Sequence, residues 1–272
     1  MLIKSVDMNV IELCGGLGNQ MFQYAFGRAQ MERGREVCFS KRWYDKAQRN
    51  PARPYHLDKL YIEAEYNLFL PQYTVREKHG FDIRHLKKKD CNFKGYWQYL
   101  DYFKGILDIL QSEFYVQNKY YTSEFLKLRT QIIKNPSVSI HVRRTDYVNH
   151  KGFGTLPLLY YFKALEKVDV SVDVYVFSDD IAWCKDVFKS EYFSHKFIFV
   201  HLKDYLDFEL MRLCHSGKIL ANSTFGYWAA ILDDTPEKLV ICPPGWLVLG
   251  GMLNEERNKN IPEHWIKIED YV

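Results

Sequence analysis

Val138-Ser139-Ile140-His141-Val142, Val172-Asp173-Val174-Tyr175-Val176-Phe177, Phe197-Ile198-Phe199-Val200, Lys218-Ile219-Leu220-Ala221 and Leu239-Val240-Ile241-Cys242 are five short runs dominated by apolar residues. Between them the spacing turns helical, near Pro157 to Lys167, Ile181 to Lys189, Asp204 to Cys214 and Thr224 to Leu232. Strand alternating with helix in this rhythm predicts a parallel sheet covered by helices. Ligands of such sheets sit beyond the carboxyl ends of the strands.

The same plan occurs once more near the start. The strand Asn9-Val10-Ile11-Glu12-Leu13-Cys14 leads into Gly15-Gly16-Leu17-Gly18. A helix from Asn19 to about Arg33 follows, with Phe22, Ala25, Phe26 and Ala29 at helical spacing, and Glu36-Val37-Cys38-Phe39-Ser40 reads as the next strand. Residues 41 to 130 are rich in aromatic and basic side chains and lack a clear strand rhythm. The turn signal Asn135-Pro136 places the boundary between a domain 1–135 and a domain 136–272.

Of the 272 residues, 47% are hydrophobic, enough to bury a sizeable core. The net charge of +3 is the small difference between 37 basic and 34 acidic residues, which excludes a strongly basic nucleic-acid binder but not an anionic small ligand. Six cysteines without a C-x-x-C pair suggest neither a zinc knuckle nor a disulfide framework, so they read as reduced thiols. Lys4, Asp7, Asn9 and Glu12 interrupt any signal-peptide run, and no stretch has the length and apolarity of a membrane span. The expected location is cytoplasmic.

Three strand ends carry ligand-type groups. The first delivers His141-Val142-Arg143-Arg144-Thr145-Asp146. Two arginines at that edge suit an anion, because a guanidinium fork matches two phosphate oxygens and keeps its charge, so a diphosphate clamp is expected. The alternative pairs one arginine with Asp146 and leaves the other in solvent. The second is Phe177-Ser178-Asp179-Asp180, where a carboxylate can accept two N–H bonds from the edge of a guanine, or simply cap the next helix. The third, Asn222-Ser223-Thr224-Phe225-Gly226, brings hydroxyls and the free N–H groups of a helix start together.

Gly15-Gly16-Leu17-Gly18-Asn19-Gln20 resembles a dinucleotide loop only loosely, because Met21 stands where a third glycine belongs. Gly16, Gly18, Asn19 and Gln20 are candidates for contact with a sugar or phosphate; a tight turn is the plainer reading. With no Asp-x-Asp triplet and no His, Asp or Glu set at metal spacing, no metal site and no cofactor are expected.

Taken together, Gly15 to Ala25, Gly95-Tyr96-Trp97-Gln98 with Tyr102-Phe103, His141 to Tyr147, Phe177 to Asp180 and Asn222 to Trp228 resemble the alpha-1,2-fucosyltransferases of glycosyltransferase family 11. The H-x-R-R-x-D element is shared with alpha-1,6- and protein O-fucosyltransferases, whereas the G-G-L-G-N-Q-M-F-Q-Y opening is particular to family 11. The resemblance implies an α/β, GT-B-like architecture of two Rossmann-like domains facing a cleft. Its N-terminal domain would take the acceptor and its C-terminal domain the donor. It also implies inverting transfer of L-fucose from GDP-beta-L-fucose to the 2-hydroxyl of a terminal galactose, on an oligosaccharide or a lipid-linked glycan such as bacterial O-antigen. Carried over by residue, it puts Arg143 on the beta-phosphate, His141, Asp179 and Asp180 near guanine, and Ser223 and Thr224, with Phe225 beside them, at the diphosphate. Arg144 joins the donor set, and Asn19 faces fucose or acceptor.

The alpha-1,6 enzymes of the superfamily place a lysine and then a glutamate base after this element, where Tyr147 and Lys151 stand here. The base is therefore not carried over. Asp146 is the carboxylate nearest the arginines in sequence, as a catalytic group or as an orienting partner. Another fucosyl linkage is the alternative enzyme. A non-catalytic glycan-binding module using Tyr96, Trp97, Tyr99, Tyr102 and Phe103 is the alternative of another class, against ordinary core packing. The run Arg84-His85-Leu86-Lys87-Lys88-Lys89 reads as a solvated face or as a peripheral contact with anionic lipid.

Overall fold

The computed structural model describes residues 8–45, 53–67, 69–78, 80–148, 154–189, 191–245, 248–249, 252–253 and 260–270. The chain divides into two compact units, Met1–Tyr115 and Val116–Val272.

Unit 1 contains β1 (Met8–Glu12), α1 (Leu17–Met31), β2 (Glu36–Ser40), α2 (Arg42–Asp45), β3 (Tyr73–Arg76), β4 (Cys91–Lys94) and α3 (Leu107–Glu113). Its sheet runs β2-β1-β4-β3 with every pair parallel. Tyr66 forms a further parallel bridge with Phe39 at the outer side of β2. The apolar spacing in α1 buries Phe22, Ala25, Phe26 and Ala29, and Gly34, at φ +72, follows its end. Gly27 lets α1 lie close on the sheet, since a Cβ there would stand 2.8 Å from the Phe39 ring. On another face, Phe26 stacks on Trp97 at 4.2 Å between ring centres.

Unit 2 contains α4 (Ser123–Lys134), β5 (Ser137–Val142), α5 (Leu158–Leu165), β6 (Asp173–Ser178), α6 (Ile181–Val187), β7 (Phe197–Val200), α7 (Asp204–Leu213), β8 (Gly217–Ile219), α8 (Thr224–Ile231) and β9 (Leu239–Cys242). A short ribbon of β10 (Val248–Leu249) and β11 (Met252–Leu253) precedes β12 (Ile266–Lys267). The six-stranded sheet has the order β12-β9-β8-β5-β6-β7, all parallel. The whole of β5 is buried, as expected of a central strand covered on both faces. Its Ile140 packs with Val176, Ile219 and Ile241 in one apolar core.

The division falls at Tyr115/Val116, twenty residues before the turn at Asn135-Pro136. The reason is α4, which packs against α7 and so joins unit 2. Thr122 starts α4, its hydroxyl accepting the N–H of Phe125 at 3.2 Å. The aromatic stretch before it also hides β3 and β4, whose four residues each are too short to show a period.

All six cysteines are free thiols, five of them buried. Among the described residues, no helix is long and apolar enough to cross a membrane.

Candidate active site

In unit 2 the chain leaves β5, builds outward through β6 and β7, then returns to β8 on the other side of β5. Connections that part in this way open a crevice at the carboxyl edge beside β5, where open α/β sheets bind ligands. The three predicted loops, after β5, β6 and β8, therefore meet there.

The loop after β5 is pinned by the loop after β6. Asp179 accepts the backbone N–H of Arg144 at 2.9 Å and of Thr145 at 3.2 Å, and the Thr145 hydroxyl donates to it as well. Arg143 Nη1 lies 3.1 Å from Asp179 Oδ2, and Arg143 Nη2 lies 2.6 Å from Asp146 Oδ1. Arg143 thus stands between two carboxylates on its own edge, which fixes the fork. Burial alone would raise the Asp179 carboxyl. The Arg143 charge, the Thr145 hydroxyl and the Arg144 N–H outweigh it and hold Asp179 below its ordinary value.

Arg144 is held separately. Its Nε donates to Asp180 at 3.2 Å and its guanidinium lies 3.9 Å over the Trp183 ring. Asp180 also caps α6, accepting the N–H of Trp183 at 3.2 Å. Asp179 and Asp180 were expected to accept from guanine. In the structure both are engaged by the arginine loop and the cap, so they hold that loop in place.

His141 is buried at the end of β5, with its ring 5.4 Å from Phe225 and its Nδ1 without a hydrogen-bond partner. Burial, reinforced by the Arg143 charge, pushes its pKa down to about 3, so the imidazole is neutral. Gly226 permits this packing, since a Cβ there would stand 2.9 Å from His141 Nδ1. Ser223 caps α8 through Phe225 N–H at 3.4 Å, and Thr224 opens the helix. Asn222, whose neighbour Ser223 was the expected ligand, instead ties the edge together. Its side chain donates to Gly154 O at 3.0 Å, and its carbonyl accepts from Tyr147 at 3.4 Å. Lys151 lies outside the described residues.

In unit 1 the loop Cys14–Gly16 lies between β1 and α1, with Gly15 at φ +80, a conformation glycine adopts without strain. A Cβ on Gly15 would come within 2.7 Å of Asn19 Nδ2, so the Asn19 amide lies directly against this loop. Gln98 fixes that amide by donating from Nε2 to Asn19 Oδ1 at 2.8 Å. Trp97, at φ +56, turns the chain to bring Gln98 there; a bulky residue in that region is strained. Gly16 caps α1 and Gly18 is buried in its first turn.

Gln20 does not face a ligand. It is fully buried, donates to Gly15 O at 3.0 Å and Pro54 O at 2.9 Å, and accepts from His56 and Leu57 N–H, each at 3.0 Å. A primary amide with two donors and one two-lone-pair oxygen is thereby saturated, so Gln20 is a staple. Gln23 does the same across the strand ends, accepting from Cys14 N–H at 2.9 Å and donating to Gly95 O at 3.0 Å. Their polar type gave no sign of this; only the depth at which the helix lies does.

The aromatic platform is also corrected. Trp97, Tyr99, Tyr102 and Phe103 are buried in the core of unit 1, and of the five only Tyr96 is exposed. In the basic run, His85 and Leu86 are buried while Arg84, Lys87 and Lys89 are exposed. Among the described residues, no group of three His, Cys, Asp or Glu is placed to hold a metal ion.

The comparisons with known proteins agree with this geometry. A family model described as glycosyl transferase family 11 matches residues 2–268. An alpha-1,2-colitosyltransferase of Escherichia coli is 31% identical over 297 residues, covering 96% of this chain and 98% of that protein. The O-antigen biosynthesis glycosyltransferase WbnK of Escherichia coli is 30% identical over 142 residues, covering 48% of this chain and 44% of that one. Among solved structures, NodZ alpha-1,6-fucosyltransferase soaked with GDP-fucose matches with a TM-score of 0.51 at 12% identity, covering 83% of this chain and 92% of that one. That likeness is one of fold, and it is the GT-B fold of two parallel α/β units. The chain belongs to glycosyl transferase family 11, and its activity is glycosyl transfer from a nucleotide sugar.

Proposed function

We propose that the protein transfers L-fucose from GDP-beta-L-fucose to the 2-hydroxyl of a terminal galactose, with inversion and without a metal ion. The observation that carries this reading is Arg143, held between Asp146 and Asp179 at the crevice beside β5. Inversion requires in-line attack by the acceptor hydroxyl as GDP leaves. Negative charge then grows on the beta-phosphate and positive charge on the sugar ring. Arg143 meets the first with a fixed fork, and the free N–H groups at the start of α8 add to it. One well-placed donor of this kind contributes about 3–4 kcal/mol to the transition state.

Asp146 acts on this reading as the partner that orients Arg143. Unit 1 supplies the acceptor side, with the Asn19 amide against the Gly15–Gly16 loop as the polar contact for a sugar.

A second donor is favoured by the colitosyltransferase relative, whose similarity spans nearly the whole of both chains. On that reading a colitosyl group replaces the fucosyl group and the 1,2 linkage is kept. Parallel incubations with GDP-fucose and GDP-colitose, at equal donor and a common galactoside, separate the two. The fucose reading requires kcat/KM to be higher for GDP-fucose, and a preference for GDP-colitose overturns it.

A further inference from the structure

Unit 1 carries a row of aromatic rings that the transfer chemistry leaves unused. Lys41-Arg42-Trp43-Tyr44 follows directly on β2, and Tyr66 is paired beside Phe39 near the end of the same strand. Both segments therefore stand at the carboxyl edge of the sheet, together with Tyr55. Successive ring centres lie 4.9 Å apart for Trp43 and Tyr44, 5.4 Å for Tyr44 and Tyr55, and 6.1 Å for Tyr55 and Tyr66.

The row begins at the glycine loop, because the Tyr44 hydroxyl donates to Gly15 O at 2.8 Å. It ends at Tyr66, which is 41% exposed, whereas the core rings Trp97 and Tyr102 are only 0% and 1% exposed. Lys41 stiffens the outer end, its Nζ 4.2 Å from the centre of the Tyr66 ring and 5.2 Å from that of Tyr55. The Tyr55 and Tyr66 hydroxyls also bond to each other.

Rings left partly open at a sheet's ligand edge, with phenol hydroxyls and an ammonium group among them, match a chain of pyranoses. Each sugar offers an apolar C–H face to a ring and a rim of hydroxyls to the polar groups. Four rings in succession extend past a single sugar. We propose that Trp43, Tyr44, Tyr55 and Tyr66 form an extended subsite for an acceptor oligosaccharide, binding the sugars behind the galactose that receives the transferred group. The assignment rests on unit 1 being the acceptor side.

The test is calorimetric titration of the full chain, with GDP present, using methyl galactoside and a galactose-terminated tetrasaccharide. The tetrasaccharide binds about tenfold or more tightly than the monosaccharide, the gain expected of one or two stacked rings. Tyr66→Ala and Trp43→Ala each remove most of that advantage, while Tyr66→Phe, which keeps the ring, retains it. GDP affinity and the thermal midpoint report that each variant is folded. Equal binding of the two sugars by the unaltered chain, binding of neither, or an advantage unchanged in both alanine variants overturns the subsite. Because the readout is binding, failure to transfer fucose would defeat the proposed function and leave this result standing.

Discussion

Asp179 joins Arg143 to its own loop: Oδ2 of the carboxylate lies 3.1 Å from Arg143 Nη1, and the same side chain accepts the Arg144 N–H at 2.9 Å. The arginine is therefore set in place by the protein itself, and its loop depends on a residue that directly follows the neighbouring strand β6.

Arg143→Lys keeps the charge but loses the fork and one of the two carboxylate contacts. Turnover should fall about a hundredfold or more, the loss expected for a displaced oxyanion-type donor. The thermal midpoint should stay near that of the unaltered chain. Steady-state kinetics together with a melting curve check this, and near-normal turnover would pass the clamp role to Arg144.

Asp146→Asn separates two roles for this carboxylate. If it orients Arg143, as their 2.6 Å contact suggests, GDP affinity and turnover fall together as the fork loosens. Titration with GDP beside kinetics at saturating donor and acceptor decides the point. Normal GDP binding with transfer almost abolished would make Asp146 the base instead.

Gln20→Ala should act on stability. It leaves Gly15 O, Pro54 O and the His56 and Leu57 N–H groups without their partner, at a cost of about 2–4 kcal/mol for groups that cannot all reach water. Urea unfolding measures the loss. A variant as stable as the unaltered chain but impaired in sugar binding would restore Gln20 to the ligand side.

His141 makes stability depend on pH in a definite direction. Its folded pKa is depressed to about 3 from an ordinary 6.5, so between these values the unfolded chain takes up a proton that the folded chain does not. The contribution is fully present above about pH 6.5 and is lost as the pH falls through that window. It amounts to at most about 1.4 kcal/mol per pH unit. Urea midpoints of His141→Gln should therefore change less between pH 6.5 and 4.5 than those of the unaltered chain. Parallel curves would show that His141 is not the group responsible.

The parts that were legible in sequence are those where one physical signal dominates. Parallel strands covered by helices read as unbroken apolar runs, so the buried Leu239–Cys242 and even the half-buried edge strand Phe197–Val200 lie where their residues place them. The three strand-end loops were legible because polar residues interrupt those runs at the ligand edge. Strands β3 and β4 were not, being four residues long amid aromatic neighbours. Gln20 was misplaced because its chemistry suits a ligand or a staple equally, and burial decides between them. Asp179 was seen as a residue of the edge. Its work on the Arg143 loop depends on β5 and β6 being neighbours, a pairing the sequence does not state. Trp97 offers no local sign of its positive φ or of the Gln98–Asn19 contact it sets up.

The central claim is most directly tested by incubating the full chain with GDP-fucose, EDTA and a panel of galactosides, then determining the new linkage and anomeric configuration by NMR. The account predicts an alpha-fucosyl residue on the 2-hydroxyl of galactose, formed in the chelator and reduced about a hundredfold or more in Arg143→Lys. Fucose on another hydroxyl, retention of the beta configuration, or transfer only after manganese is restored would contradict it.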